Sequence, residues 1–249
     1  MVRLTSRVVD PPRPKVPILE IVALTKDYRG LRPLRLERFQ IGEAESVAIV
    51  GFDEPAAEVF VNLITGAGLP DSGTVRLFGR DSRDIADSAD WLAVVDRFGL
   101  LTERAVLLHG MSVEQNLALP FTIDIDRIPD DIRGRVRQLA VEVGLAATLL
   151  ERPAADLALL DQARVRLARA IALDPAILVL EHPTSRLARP DVRPFAALIA
   201  GVAARRRAAT LALTGDREFA DAVAGRVLTH EGATGRLVER GWFSRLVGH

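Results

Sequence analysis

The sequence predicts an α/β fold with a mainly parallel core sheet, an antiparallel β region near the N-terminus and a largely helical middle. Three observations predict it. Short apolar runs recur at 47–50, 177–180 and 208–213, as expected of strands buried on both faces of a parallel sheet. Stretches with helical apolar spacing separate such runs, and strands alternating with helices build a parallel sheet. The strand-like segments 18–24 and 34–41 have no helical pattern between them, as in a hairpin-rich start.

In chain order, residues 1–17 hold several prolines and little periodicity and read as an extended leader. Ile18 to Leu24 is rich in apolar and β-branched residues, Leu34 to Ile41 reads as a second strand, and Tyr28 lies between them. Val47 to Val50 forms a buried strand ended by Gly51. Pro55 suits a first helical turn, after which Ala56, Val59, Phe60, Leu63 and Ile64 give an apolar face at helical spacing. Pro70 to Gly73 is a turn before a short strand at Thr74 to Phe78.

Trp91 to Val95 is expected to be another short apolar strand, followed by a helical subdomain over about 97–172. Within it Arg133 to Val143 has helical spacing with a stop at Gly144, and Arg164 to Leu173 is a stronger helix whose arginines are expected on the solvent side. Asp174 and Pro175 end that helix. Ile177 to Leu180, Ala208 to Leu213 and Arg226 to Thr229 complete the strands, the main domain runs from 18 to 240, and 241–249 reads as a tail.

Composition narrows the function. The 249 residues carry 33 basic and 33 acidic side chains, a formal net charge of zero, which argues against generic nucleic-acid binding. With no cysteine, disulfides, cysteine-ligated zinc and iron–sulfur clusters are excluded. No apolar run is long enough to cross a bilayer and the first residues lack the apolar core of a signal peptide, so a cytosolic setting is expected, with membrane association through a partner. His109 and His230 are isolated and carry no ligand pattern.

The segment Ser46 to Gly66 has the layout of a phosphate-binding loop: a strand, a tight turn at glycine, then a helix with acids in its first turn. A working loop reads G-x-x-x-x-G-K-[ST], in which backbone N–H groups converge on phosphate, lysine neutralises charge and the hydroxyl holds magnesium. Counting from Gly51, the second glycine falls on Ala56, the lysine on Ala57 and the hydroxyl on Glu58. Pro55 has no N–H to donate. Glu54 and Glu58 place two carboxylates there, and at about 4 Å and an effective dielectric near 20 each like-charge contact with a triphosphate would cost roughly 4 kcal/mol. As a plain helix start, DEPAAE is favourable, because acids suit the positive end of the helix dipole.

Two stretches together resemble the ABC-type ATPases. Gly51 to Gly66 with LPDSGTVRLFGRD is similar to that family's phosphate loop, helix and following strand. DLALLDQARVRLARAIALDPAILVLEHPTSRL, from Asp156 to Leu187, resembles its signature motif, helix, Walker B strand and D-loop without a gap. The resemblance covers roughly 18–239 and implies the P-loop NTPase-like ABC ATPase fold. MSVEQNLALPF, Met111 to Phe121, is similar to the segment after the Q-loop in the lipid-trafficking and lipoprotein-releasing branches.

Residue by residue, the resemblance also shows departures. Leu157, Ala158, Leu159, Leu160 and Asp161 stand where the family has L-S-G-G-Q; Glu181 and His182 stand at the Walker B aspartate and catalytic glutamate; Ala188 stands at the D-loop aspartate and Gly215 at the switch histidine. Tyr28 matches the aromatic that stacks on adenine, Glu54 replaces a further glycine, and the Q-loop glutamine is placed near Asp96. The positions Tyr28, Gly51, Glu54, Ala56, Ala57, Glu58 and Asp96 are therefore expected to be a vestigial nucleotide site, with no intact catalytic residue and no metal. ATP and magnesium would enter only if the atypical ligands still bind them.

Because ABC domains pair head to tail, the resemblance implies a homo- or heterodimer and a transporter-like membrane subunit, met in a groove near Phe98 to Phe121. The expectation is a structural or regulatory cassette at the inner face of a membrane, with lipid-related transport and little or no ATP hydrolysis. Two alternatives stand beside it: an active ATPase using Tyr28, Glu181 and His182, and a soluble regulator that binds protein through the dimer face.

Overall fold

A computed structural model describes residues 16–102 and 104–239. In chain order the elements are β1 (Leu19–Lys26), β2 (Leu34–Ile41), β3 (Ser46–Val50), α1 (Glu54–Ile64), β4 (Ser72–Leu77), β5 (Arg80–Asp81), α2 (Ser88–Val95), β6 (Phe98–Leu101) and α3 (Val113–Ala118). There follow α4 (Asp130–Glu142), α5 (Leu159–Ile171), β7 (Ile177–Glu181), α6 (Arg189–Arg206), β8 (Ala209–Leu213), α7 (Arg217–Val223), β9 (Arg226–Glu231) and β10 (Arg236–Glu239).

The strands form two sheets. The smaller is antiparallel, in the order β2-β1-β4-β5, and the larger runs β10-β9-β3-β8-β7-β6. Within the larger sheet β9, β3, β8, β7 and β6 are parallel, and only β10 is antiparallel, on β9. Alternation along its strands explains their unbroken apolar runs. Val47 and Ile49 join α1 and the antiparallel sheet in one core, while Ala48 and Val50 join the helical middle in the other. A strand sandwiched in this way needs apolar residues on both faces.

The expected strand at Trp91 to Val95 is instead helix α2, which begins with the Asp87 carboxylate accepting from the Asp90 N–H at 2.9 Å. A five-residue apolar run is compatible with either period, and the cap decides it. The strand is the next run, β6, which pairs with β7, so the stretch 97–172 begins inside the parallel sheet before it turns helical. The helix expected from Arg164 begins earlier, at Leu159. Gly144, with φ +72, ends α4 as its sequence position suggested. Most of the leader and the tail lie outside the described residues.

The consequence for function is positional. The C-terminal ends of β3, β7 and β8 lie side by side, and the chain leaving β3 turns at Gly51 into α1. Gly51 has φ +106, and a Cβ there would meet the His230 carbonyl at 2.9 Å. In an α/β sheet the crevice at these strand ends is where ligands collect.

Candidate functional site

Residues 51–58 fold as a self-capped helix start. The Asp53 carboxylate accepts from the Ala56 N–H at 2.8 Å, and the Ala57 N–H donates to the Asp53 carbonyl at 2.9 Å. Pro55 contributes no N–H. One donor of this helix end, the Ala56 N–H, is thus taken by the protein's own carboxylate, and the Ala57 N–H by the helix's first backbone bond. Phe52 turns inward, stacked on Phe60 at 5.2 Å and tilted against His230 at 4.5 Å between ring centroids. His230 in turn meets the Arg35 carbonyl through Nε2 at 2.9 Å, and it is a packing group.

Opposite α1, β7 ends at Glu181, whose side chain is only 10% exposed. Between the two lies Arg104, from the loop that leaves β6. Its Nη1 reaches Glu58 Oε1 and its Nη2 reaches Glu181 Oε2, each at 2.7 Å. One guanidinium therefore spans the crevice and is shared by two carboxylates, the geometry in which arginine's planar fork is effective. Sequence reasoning missed Arg104. No local pattern marks it, because its place depends on where the loop after β6 meets α1 and the end of β7.

His182 follows Glu181 in the left-handed region, φ +44, with its N–H donating to the Leu213 carbonyl at 2.9 Å. Its Nε2 is buried without a partner among the described residues. Glu54, Glu58, Arg104, Glu181 and His182 line one cavity of about 300 Å³. A second, of about 330 Å³, shares Glu54 and His182 and extends to Gly215 and Asp216. There the Asp216 carboxylate accepts from Thr184 Oγ1 at 3.2 Å and from Arg189 at 3.0 Å, and it caps α7 through the Phe219 N–H. Gly215 brings no side chain to this site.

Other expected positions lie apart. Tyr28 packs against the core beside the antiparallel sheet, and burial, then the charge of Asp53, push its phenol above the ordinary tyrosine value. It lines neither cavity. Asp96 is a correction: it caps the C-terminus of α2, before β6, at the opposite end of that strand from Arg104. A strand presents its two ends on opposite sides of a sheet, so Asp96, at the start of β6, does not reach the crevice that Arg104 enters from its far end. In the signature-like stretch Leu157 is buried, Ala158 precedes α5 without a side-chain cap, Leu159 is 44% exposed, Leu160 packs on the core and Asp161 pairs with Arg164 at 2.8 Å. These residues do not line either cavity.

A family profile described as ABC transporter matches residues 38–185. The chain belongs to the ABC transporter family. The ABC chain is 26% identical over 225 residues to the lipoprotein-releasing system ATP-binding protein LolD of Alcanivorax borkumensis, covering 89% of this chain and 98% of that protein. It is 28% identical over 241 residues to the methionine import ATP-binding protein MetN of Rhizobium etli, where 96% of this chain spans only 65% of that relative's length. In fold it is similar to cbiO1 of Clostridium perfringens, part of the ABC transporter complex cbiONQ, with a TM-score of 0.78, 20% identity and coverage of 93% of this chain and 91% of that one.

The crevice of this chain is rich in carboxylates. The helix start offers Asp53, Glu54 and Glu58 where an ABC cassette would need free amides, a lysine and a hydroxyl. The cations nearby are committed, Arg104 to Glu58 and Glu181 and Arg189 to Asp216. Among the described residues no helix is long and apolar enough to cross a membrane.

Proposed function

We infer that this chain is a cassette subunit of a lipid- or lipoprotein-handling ABC transporter-type complex, held at the cytoplasmic face of the membrane by a membrane-embedded subunit, with a structural or regulatory role and little or no ATP turnover. The observation that carries the reading is the Arg104 guanidinium fixed between Glu58 and Glu181, where an active cassette would place its metal and phosphate ligands. Any anion entering must displace that ion pair and face three carboxylates. Paired head to tail with itself or with an intact cassette, the chain supplies a defective half to each composite site, because Leu159 and Leu160 stand in place of the signature glycines.

The resemblance of Met111 to Phe121 to the lipoprotein-releasing branch, with the nearly full-length match to LolD, supports the lipid-related assignment. On this reading the membrane subunit docks in the groove near Phe98 to Phe121. The test is the melting temperature of the purified chain with and without magnesium and ATP. No shift is expected. A ligand at 100 times its dissociation constant adds about 2.7 kcal/mol, so a clear shift that Tyr28→Ala abolishes would overturn the reading and establish a nucleotide site.

A further inference from the structure

The helix expected to turn its arginines to solvent turns one of them inward. Arg166 on α5 is only 8% exposed, its Nε is buried without a partner, and it makes no hydrogen bond or ion pair among the described residues. A buried charge without a counter-charge is costly unless something outside the chain supplies one. Arg169 follows on the same face of α5, three residues along. It donates to the Val106 carbonyl at 2.8 Å, and burial, then the charge of Arg166, hold its pKa below the usual guanidinium value. Two like charges therefore lie close together, and one of them has no acceptor.

Both arginines line a cavity of about 320 Å³, at the lower end of the volumes that hold small molecules. Nine of its twelve lining residues are apolar, with Leu100 and Leu119 half-buried and Leu173 exposed at the rim. The remaining charged residue, Asp96, is exposed and pairs with neither arginine, so the lining carries two positive charges against one negative. Apolar walls with a few convergent charged groups are the composition of a small-molecule site. A bare inorganic anion would leave those walls uncovered, and a neutral apolar molecule would leave Arg166 unpaired. A singly charged anion with an apolar body answers both demands and matches the net charge of the lining.

We propose that this cavity binds a small amphiphilic carboxylate of the fatty-acid type, whose head accepts from Arg166 and Arg169 and whose tail lies against Leu100, Leu119 and Leu173. The site stands on its own geometry and does not depend on the docking reading above. Only its consequence does: Phe98 and Leu119 line the cavity and belong to the stretch given to the membrane subunit, so a bound carboxylate and a docked subunit compete for one surface. Arg166 is then a ligand-binding residue, retained at a cost to the empty chain.

The experiment is isothermal titration calorimetry of the purified full chain with octanoate, and with octanol and acetate as probes that keep only the tail or only the charge. Octanoate should bind at a single site, roughly tenfold or more tightly than either of the others. Arg166→Met should weaken octanoate binding by roughly tenfold or more, and Leu173→Glu, which puts a like charge at the exposed rim, should weaken it as well. Arg193→Met, which removes an exposed arginine of α6, should leave it unchanged. Octanol or acetate binding as tightly as octanoate overturns the amphiphilic carboxylate, the first by dispensing with the arginines and the second with the apolar walls. Equal losses in Arg166→Met and Arg193→Met place the binding elsewhere, and no binding of octanoate refutes the site; in neither case is the docking reading touched. Without ligand, Arg166→Met should melt at or above the parent temperature. A fall of about 5 °C or more would make Arg166 a structural residue and sink the proposal.

Discussion

Replacing Arg104 by leucine tests the ion pair that closes the crevice. The two arms differ in worth. The arm to Glu58 joins side chains 41% and 51% exposed, so solvent screening limits it to about 0–1 kcal/mol. The arm to Glu181 ends on a carboxylate only 10% exposed, and stripping its partner leaves a buried acceptor unsatisfied at about 1–3 kcal/mol. A total near 2–3 kcal/mol in a chain of this size lowers the melting temperature by roughly 4–12 °C. Thermal melts followed by circular dichroism at pH 7 read this directly. Glu181→Gln and the double variant complete a cycle, in which the double should lose less than the sum of the singles by at least about 1 kcal/mol. If Arg104→Leu melts within a degree of the parent and the effects simply add, Arg104 does not anchor the crevice and presents no ion pair that an entering anion must displace.

Two further expectations concern the frame around the site. Arg206 holds Glu142 through Nε and Nη2 at 2.9 and 2.7 Å and also reaches Asp174, tying α6 to α4 and to the end of α5. Its hydrogen bonds keep the Glu142 carboxyl below the ordinary glutamate value. A carboxylate with a lowered folded pKa contributes fully above its unfolded pKa and loses that contribution as pH falls through the folded one. Glu142→Gln should therefore cost about 1.5–3 kcal/mol near neutrality and converge with the parent in acid melts below the ordinary glutamate pKa; a constant difference across pH would contradict this assignment. Gly99→Ala should destabilise by about 1–3 kcal/mol, because a Cβ on β6 would lie 2.4 Å from the Ala170 carbonyl. Faster amide hydrogen exchange across β6 is the accompanying readout, and unchanged protection would count against that contact.

The sequence by itself determined the architecture wherever one face pattern admits one structure. The runs at 47–50, 177–180 and 208–213 had to be strands covered on both sides, and with the helices between them they fix a parallel sheet. It also determined which groups line the old phosphate loop, since Gly51, Glu54 and Glu58 are counted off a strand, a turn and a helix start. Short apolar runs without a unique period are not legible: residues 91–95 suit a strand as well as a helix, and the Asp87 cap makes them α2. With β6 shifted to the next run, Asp96 lies at the opposite end of that strand from the crevice. Only the tertiary structure decided the rest: that Arg104 bridges Glu58 and Glu181, 46 and 77 positions away in the chain, and that Arg166 turns inward while other arginines of α5 reach partners at its surface. Such pairings depend on how strand ends and helix faces converge in space, and local periodicity holds no record of that convergence.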